Sequence, residues 1–168
     1  MPLKKTPKVT RPRIPGYGLP KSKKGLLPWK WAEDRLTKSR QYWIATTRPD
    51  GRPHLMIVWA LWMDGLLYFS TGKQSVKARN LAKNPRCVMA TDRADEGVIL
   101  EGLIETEREV RHIREFIRLY EKKYKYKLGK MADAMLALED PVFILRPKVG
   151  FGLWEKKFAT SATRWLFG

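Results

Sequence analysis

Apolar residues recur along this chain with two different periods, and the switches between them mark where elements begin and end. Trp29, Ala32 and Leu36 share one face at helical spacing behind Pro28, which predicts a helix over 28–40. Residues 41–48 are aromatic and β-branched and read as a strand. Pro49-Asp50-Gly51-Arg52 then forms a turn, because proline presets one dihedral and glycine accepts positive φ. Residues 54–63 predict one longer strand, which Asp64-Gly65 turns tightly into a third strand at 66–71. A short helix over 75–83 stops at Asn84-Pro85. Strands at 86–91 and 98–107 flank a polar loop at 92–97. Val110, Ile113, Ile117, Tyr120 and Tyr124 recur every three or four residues, as on an amphipathic helix. A second helical piece lies near 131–138, and two closing strands are expected at 142–145 and 149–154. Five or six antiparallel strands in hairpins, with helices at their edges, predict a mainly β fold: a small barrel with peripheral helices.

Composition narrows the class. At 168 residues and 43% hydrophobic content the chain can bury one core, so a single domain over 26–168 is expected behind the first 25 residues. No run of about 18 apolar residues exists to span a membrane. The charged amino-terminal stretch has no apolar segment behind it, so no secretory signal is expected. The single cysteine, Cys87, cannot staple the fold and sits in an apolar run, as a small buried hydrophobe would. A reducing, cytoplasmic setting is expected. His54 and His112 lie far apart in no ligand-spaced cluster, so no metal site is expected.

Charge changes the picture more. Lys and Arg number 34 against 17 Asp and Glu, a formal net charge of +17. No acidic residue precedes Glu33, whereas Lys4, Lys5, Lys8, Arg11, Arg13, Lys21, Lys23, Lys24 and Lys30 all do. With Pro2, Pro7, Pro12, Pro15 and Pro20 interspersed, residues 1–25 are expected to form an extended basic arm when unbound. Such an arm serves either as a solvated tail or as a contact for polyanions.

The stretch 70–84 holds the candidate chemistry. Gly72 lets backbone amides approach a ligand closely, and Ser75 stands at a helix N-cap beside unpaired amides and the positive end of the helix dipole. Lys73, Lys77 and Arg79 add charge-assisted donors. On residue types alone, two readings fit: a phosphate cradle, and an ordinary capped surface helix with solvated lysines.

The run 42–106 resembles the FMN-binding split-barrel superfamily of pyridoxamine 5′-phosphate oxidase-like proteins, which includes flavin and deazaflavin oxidoreductases. The resemblance is carried by Trp43-Ile44-Ala45-Thr46-Thr47-Arg48-Pro49-Asp50-Gly51-Arg52-Pro53-His54, then Val58-Trp59 and Asp64-Gly65-Leu66-Leu67-Tyr68-Phe69-Ser70-Thr71. Its most specific part is Ser75-x-Lys77-x-x-Asn80-Leu81-x-x-Asn84-Pro85, followed by Val98-Ile99-Leu100-Glu101-Gly102.

What the resemblance implies is a split β-barrel, usually a homodimer with two cofactor sites at the subunit interface. By position, Ser70, Thr71, Ser75, Lys77 and Asn80 are the candidates for the cofactor phosphate and nearby contacts. His54, Met56 and Val58 alternate along one strand face, which either lies beside the cofactor ring or, for Met56 and Val58 above all, packs the barrel. Namesake enzymes carry Arg and Lys for the FMN phosphate where this chain has His54 and Trp59, so oxidation of vitamin B6 is not expected. Trp59 is left to stack on a flat ring or to fill the core. The hydroxyls of Thr46, Thr47, Ser70 and Thr71 are further candidates for orienting the ring.

The cofactor is expected to be deazaflavin coenzyme F420, whose polyglutamate tail suits a basic groove, or FMN. The expected function is hydride transfer to or from a small organic substrate, with no dedicated nucleophile. A cofactor carrier without turnover and a basic nucleic-acid-binding barrel with tryptophan stacking are the competing classes. The closing stretch 154–165 mixes aromatics with Lys156, Lys157 and Arg164, and either covers the ring or docks across a dimer.

Overall fold

A computed structural model describes residues 6–168. Among these residues nine strands, all antiparallel, are joined in one sheet: β1 (Lys8–Thr10), β2 (Tyr42–Thr47), β3 (Pro53–Val58), β4 (Ala60–Met63), β5 (Leu66–Ser70), β6 (Arg86–Thr91), β7 (Glu96–Thr106), β8 (Val142–Trp154) and β9 (Thr163–Leu166). The helices are α1 (Trp29–Lys38), α2 (Val76–Lys83), α3 (Val110–Tyr124), α4 (Lys130–Leu136) and a single turn, α5 (Phe158–Ser161). No described helix is long and apolar enough to cross a membrane.

The stretch expected as one strand over 54–63 is broken at Trp59, and the break closes the barrel. β3 pairs with β2, β4 pairs with β5, and β5 pairs with β8, so the path β3-β2-β6-β7-β8-β5-β4 returns to its own start. The bend has a physical cause in the side chains that take over its backbone groups. The Ala60 N–H donates to the Tyr124 hydroxyl at 2.9 Å, and the Ala60 carbonyl accepts from Lys123 Nζ at 2.9 Å. Lys123 lies between the rings of Tyr42 and Tyr124, and burial pushes its ammonium pKa down to about 8.

The two closing strands expected at 142–145 and 149–154 are instead one, β8. Pro147 lacks an N–H, but it faces Gly102 where the β7–β8 register shifts, so no ladder bond is lost there. Gly102 is required at this crossing: a Cβ there would lie 2.1 Å from the Arg146 carbonyl oxygen. Beyond the bulge β8 exchanges one neighbour for another, from β5 to β9.

Two apolar clusters fill the fold. One occupies the barrel, with Ile44, Phe69, Met89, Leu100 and Leu145 inside and Trp29, Leu36 and Trp165 at its mouth. The other lies under α3 and α4, where Ile113, Phe116 and Tyr124 cover Leu61, Tyr68 and Ile144. Cys87 belongs to the barrel core, and burial pushes its thiol pKa up to about 12.

The amino-terminal stretch is not simply extended away from the body. β1 pairs with β9, and the Arg11 guanidinium donates to the carbonyls of Ser22, Lys24, Thr160 and Ala162. Residues 1–5 lie outside the described part of the chain.

Candidate functional site

The site begins with the hairpin between β2 and β3. Gly51 takes φ +85, its N–H donates to the Arg48 carbonyl at 2.9 Å, and the Arg48 N–H donates to Arg52 O at 2.9 Å. This turn sets the register that puts Thr46 opposite His54. Thr46, 3% exposed, points to the inner face with Ile44 and Tyr42.

α2 lies against this hairpin. Ser75 is its N-cap as expected, its side chain accepting from the Ala78 N–H at 3.2 Å. The Thr71 hydroxyl donates to Ser75 Oγ at 3.2 Å, and the Ser75 N–H closes a turn on Gly72 O at 2.9 Å. Asn80, also 3% exposed, donates from Nδ2 to Thr46 Oγ1 at 3.0 Å, and the Thr46 hydroxyl stands 3.5 Å from His54 Nδ1.

Electrostatics identify what this corner wants. Burial, and then the positive charges of Arg48 and Lys77, hold the His54 imidazole below its ordinary pKa. Burial likewise lowers Lys77. Among the described residues no carboxylate forms an ion pair with Arg48, His54 or Lys77. Arg48 and Lys77 both act on the His54 ring, with the Asp50 carboxylate within charge range of Arg48 but not paired to it. Two positive charges converging on a neutral imidazole form a place where an anion is favourable.

Thr46 also lines a cavity of about 390 Å³ on the neighbouring strands, with Ala45, Pro53, Val88, Leu103 and Val149 as its apolar bed and Thr47, Arg86, Glu101 and Lys148 around it. The outer β2–β3 surface beside it is unusually apolar for an exposed face: Trp43 is 42%, Leu55 58% and Ile57 44% exposed.

A family model for pyridoxamine 5′-phosphate oxidase matches residues 29–148. The chain belongs to the pyridoxamine 5′-phosphate oxidase family. The matched span contains the β2–β3 hairpin, α2 and all of the Thr46 cavity lining except Val149, but not β1, β9 or the 154–165 segment. A conserved hypothetical protein from Mycobacterium tuberculosis is similar at 26% identity, with 79% of this chain and 87% of that one covered and a TM-score of 0.66. An F420 reductase shares the fold at 23% identity, 70% and 94% coverage and a TM-score of 0.56. HutZ, the heme storage protein from Vibrio cholerae, shares it at 16% identity, 71% and 86% coverage and a TM-score of 0.53. A search of curated proteins found no match.

Within this family fold the nine site residues expected from sequence separate into groups. Thr71, Ser75, Lys77, Asn80 and His54 come together at one corner. Ser70 stands at its edge with its donor engaged, since its hydroxyl donates to Pro141 O at 2.8 Å. Met56 lies opposite Ile44 on the inner side but is exposed, because β3 has no second neighbour there, while Val58 is buried in the barrel core. Trp59 is elsewhere: it stacks on Tyr124 at 4.5 Å and 6°, among Tyr120 and Tyr126. Arg48 is not among the nine, yet its charge reaches His54 from the turn. The available signal was its position two residues beyond Thr46, just past the end of the strand paired with His54.

Proposed function

We propose that this protein is an oxidoreductase that holds a flavin-type cofactor, F420 in preference to FMN, by its phosphate at the Arg48–His54–Lys77 corner. The observation that carries the reading is that Arg48 and Lys77 both act on the His54 ring, neither of them in an ion pair with a carboxylate among the described residues, beside the hydroxyls of Thr71 and Ser75. Charge-assisted donors and a helix N-terminus together are the chemistry that a phosphate dianion selects. When bound, the cofactor supplies a carbon or nitrogen centre that takes or gives a hydride. The chain's own part is to bind and orient it. Thr46 joins the phosphate corner to the apolar cavity, so a ligand held at one extends naturally over the other.

F420 is preferred because its tail adds carboxylates and the chain carries a net charge of +17, with Arg86 and Lys148 beside the cavity. The exposed face of Trp43, Leu55 and Ile57 is best covered by a second copy of the chain, which would also exclude water from the ring. Oxidation of vitamin B6 is not the proposed reaction, since His54 and Trp59 replace the two cations described for the namesake enzymes.

Titration of the protein with F420, FMN and hemin tests the reading. F420 and FMN are expected to bind and hemin is not, and Arg48→Ala and Lys77→Ala are each expected to weaken binding at least tenfold. Hemin binding alone, or wild-type affinity in both variants, overturns the assignment. Turnover with a reducible substrate separates the enzyme from a carrier.

A further inference from the structure

A second cavity, of about 450 Å³, lies between the amino-terminal stretch and the carboxy-terminal segment, both outside the span that the family model matches. Pro20, Leu27 and Trp154 supply apolar walls, and Lys24 and Lys157 supply charge. Lys157 Nζ sits 4.9 Å above the Trp154 ring. Among the described residues no carboxylate lines this cavity or pairs with either lysine. Ser161 also lines it, 2% exposed, and its Oγ has no hydrogen-bond partner, an uncommon state for a buried hydroxyl.

The walls are built rather than incidental. Arg11 reaches both of them, donating to Ser22 O and Lys24 O on one side and to Thr160 O on the other. Gly25, at φ +85, makes the close approach possible, since a Cβ there would lie 2.9 Å from Thr160 O. The Leu27 N–H donates to Thr163 Oγ1 at 2.8 Å, and that hydroxyl donates to Ser161 O at 2.7 Å. The cavity shares no residue with the one at Thr46. Val149 of the Thr46 cavity and Trp154 of this one are five residues apart on β8, about 17 Å along an extended strand.

We propose that this second cavity binds a small organic carboxylate with an apolar, flat body, its charge held by Lys24 and Lys157 and its body lying against Trp154 and Leu27. Apolar walls with a few converging polar groups are what such ligands select. A bare inorganic anion would leave those walls unused, and a neutral aromatic would leave the two ammonium charges unneutralised.

The probe is 2-naphthoate, titrated into the full-length protein by calorimetry and by amide and indole NMR. It is expected to bind with shifts at the Trp154 indole, while the uncharged alcohol 2-naphthalenemethanol binds at least tenfold more weakly and inorganic phosphate does not displace it. Lys24→Ala combined with Lys157→Ala is expected to weaken naphthoate at least tenfold, and Lys77→Ala to leave it unchanged. Both lysines are surface positions, so folding is checked by the unchanged amide spectrum of the double variant. Absence of naphthoate binding, equal binding of the alcohol, full affinity in the double variant, or shifts confined to Thr46 and Val88 overturns the proposal. Because Lys77→Ala separates the two cavities, failure here is distinguishable from failure of the cofactor assignment.

Discussion

Asn80 on α2 donates from its side-chain amide to the Thr46 hydroxyl on β2 at 3.0 Å, and both residues are buried. This one bond fastens the helix that begins at Ser75 to the strand that carries the site. Asn80→Ala leaves the Thr46 hydroxyl with one partner fewer and is expected to cost about 1–3 kcal/mol. Urea unfolding of Asn80→Ala, Thr46→Val and the double variant checks this. The double variant is expected to cost less than the two single costs together, because the bond is lost only once.

His54 gives the pH dependence. In the free protein burial, Arg48 and Lys77 hold its pKa below the ordinary value, so the imidazole is neutral at pH 7. A bound phosphate opposes those charges and raises that pKa, so binding takes up a proton. Affinity for FMN is therefore expected to rise as pH falls through the His54 titration. Imidazole NMR with and without FMN measures it, and Lys77→Ala should raise the His54 pKa of the free protein.

The apolar face of β2 and β3 predicts an oligomeric state. Leu55→Glu together with Ile57→Glu places two carboxylates on an exposed patch whose removal from water would drive pairing. Sedimentation velocity is expected to show a dimer for the parent chain and a dimer dissociation constant raised at least tenfold in the variant. Its thermal unfolding should be less affected than its assembly, since neither side chain is in the barrel core.

Gly152 packs against Trp165. A Cβ there would fall 2.3 Å from the Trp165 ring, which is fully buried and has nowhere to move. Gly152→Ala is expected to destabilise by about 1–3 kcal/mol or more through overpacking. Gly72→Ala, with nothing within 4 Å of the new methyl, is the comparison and should stay within about 0.5 kcal/mol. Denaturant midpoints of the two variants decide the matter.

Local chemistry along the chain was enough to place most elements and the helix start at Ser75, because turns, caps and amphipathic faces depend on neighbours within a few residues. The hairpin at 48–52, the Asp64-Gly65 turn, with φ of 53 and 77, and the Ser75 cap were all legible in this way. The family resemblance, carried by the same stretch, points to Thr71, Ser75, Lys77 and Asn80. Only the tertiary structure decided what lies across from what. The bend at Trp59 needs Tyr124 and Lys123, residues some 64 positions away that take up the Ala60 backbone groups. The continuity of β8 through Pro147 depends on a register shift against Gly102. Arg48 comes within charge range of His54 because the turn folds the chain back just past the end of β2, and Trp59 packs away from that corner because a helix 60 residues on offers an aromatic face. Pairing register and side-chain packing are properties of two segments at once, so the order of residues in either one does not contain them.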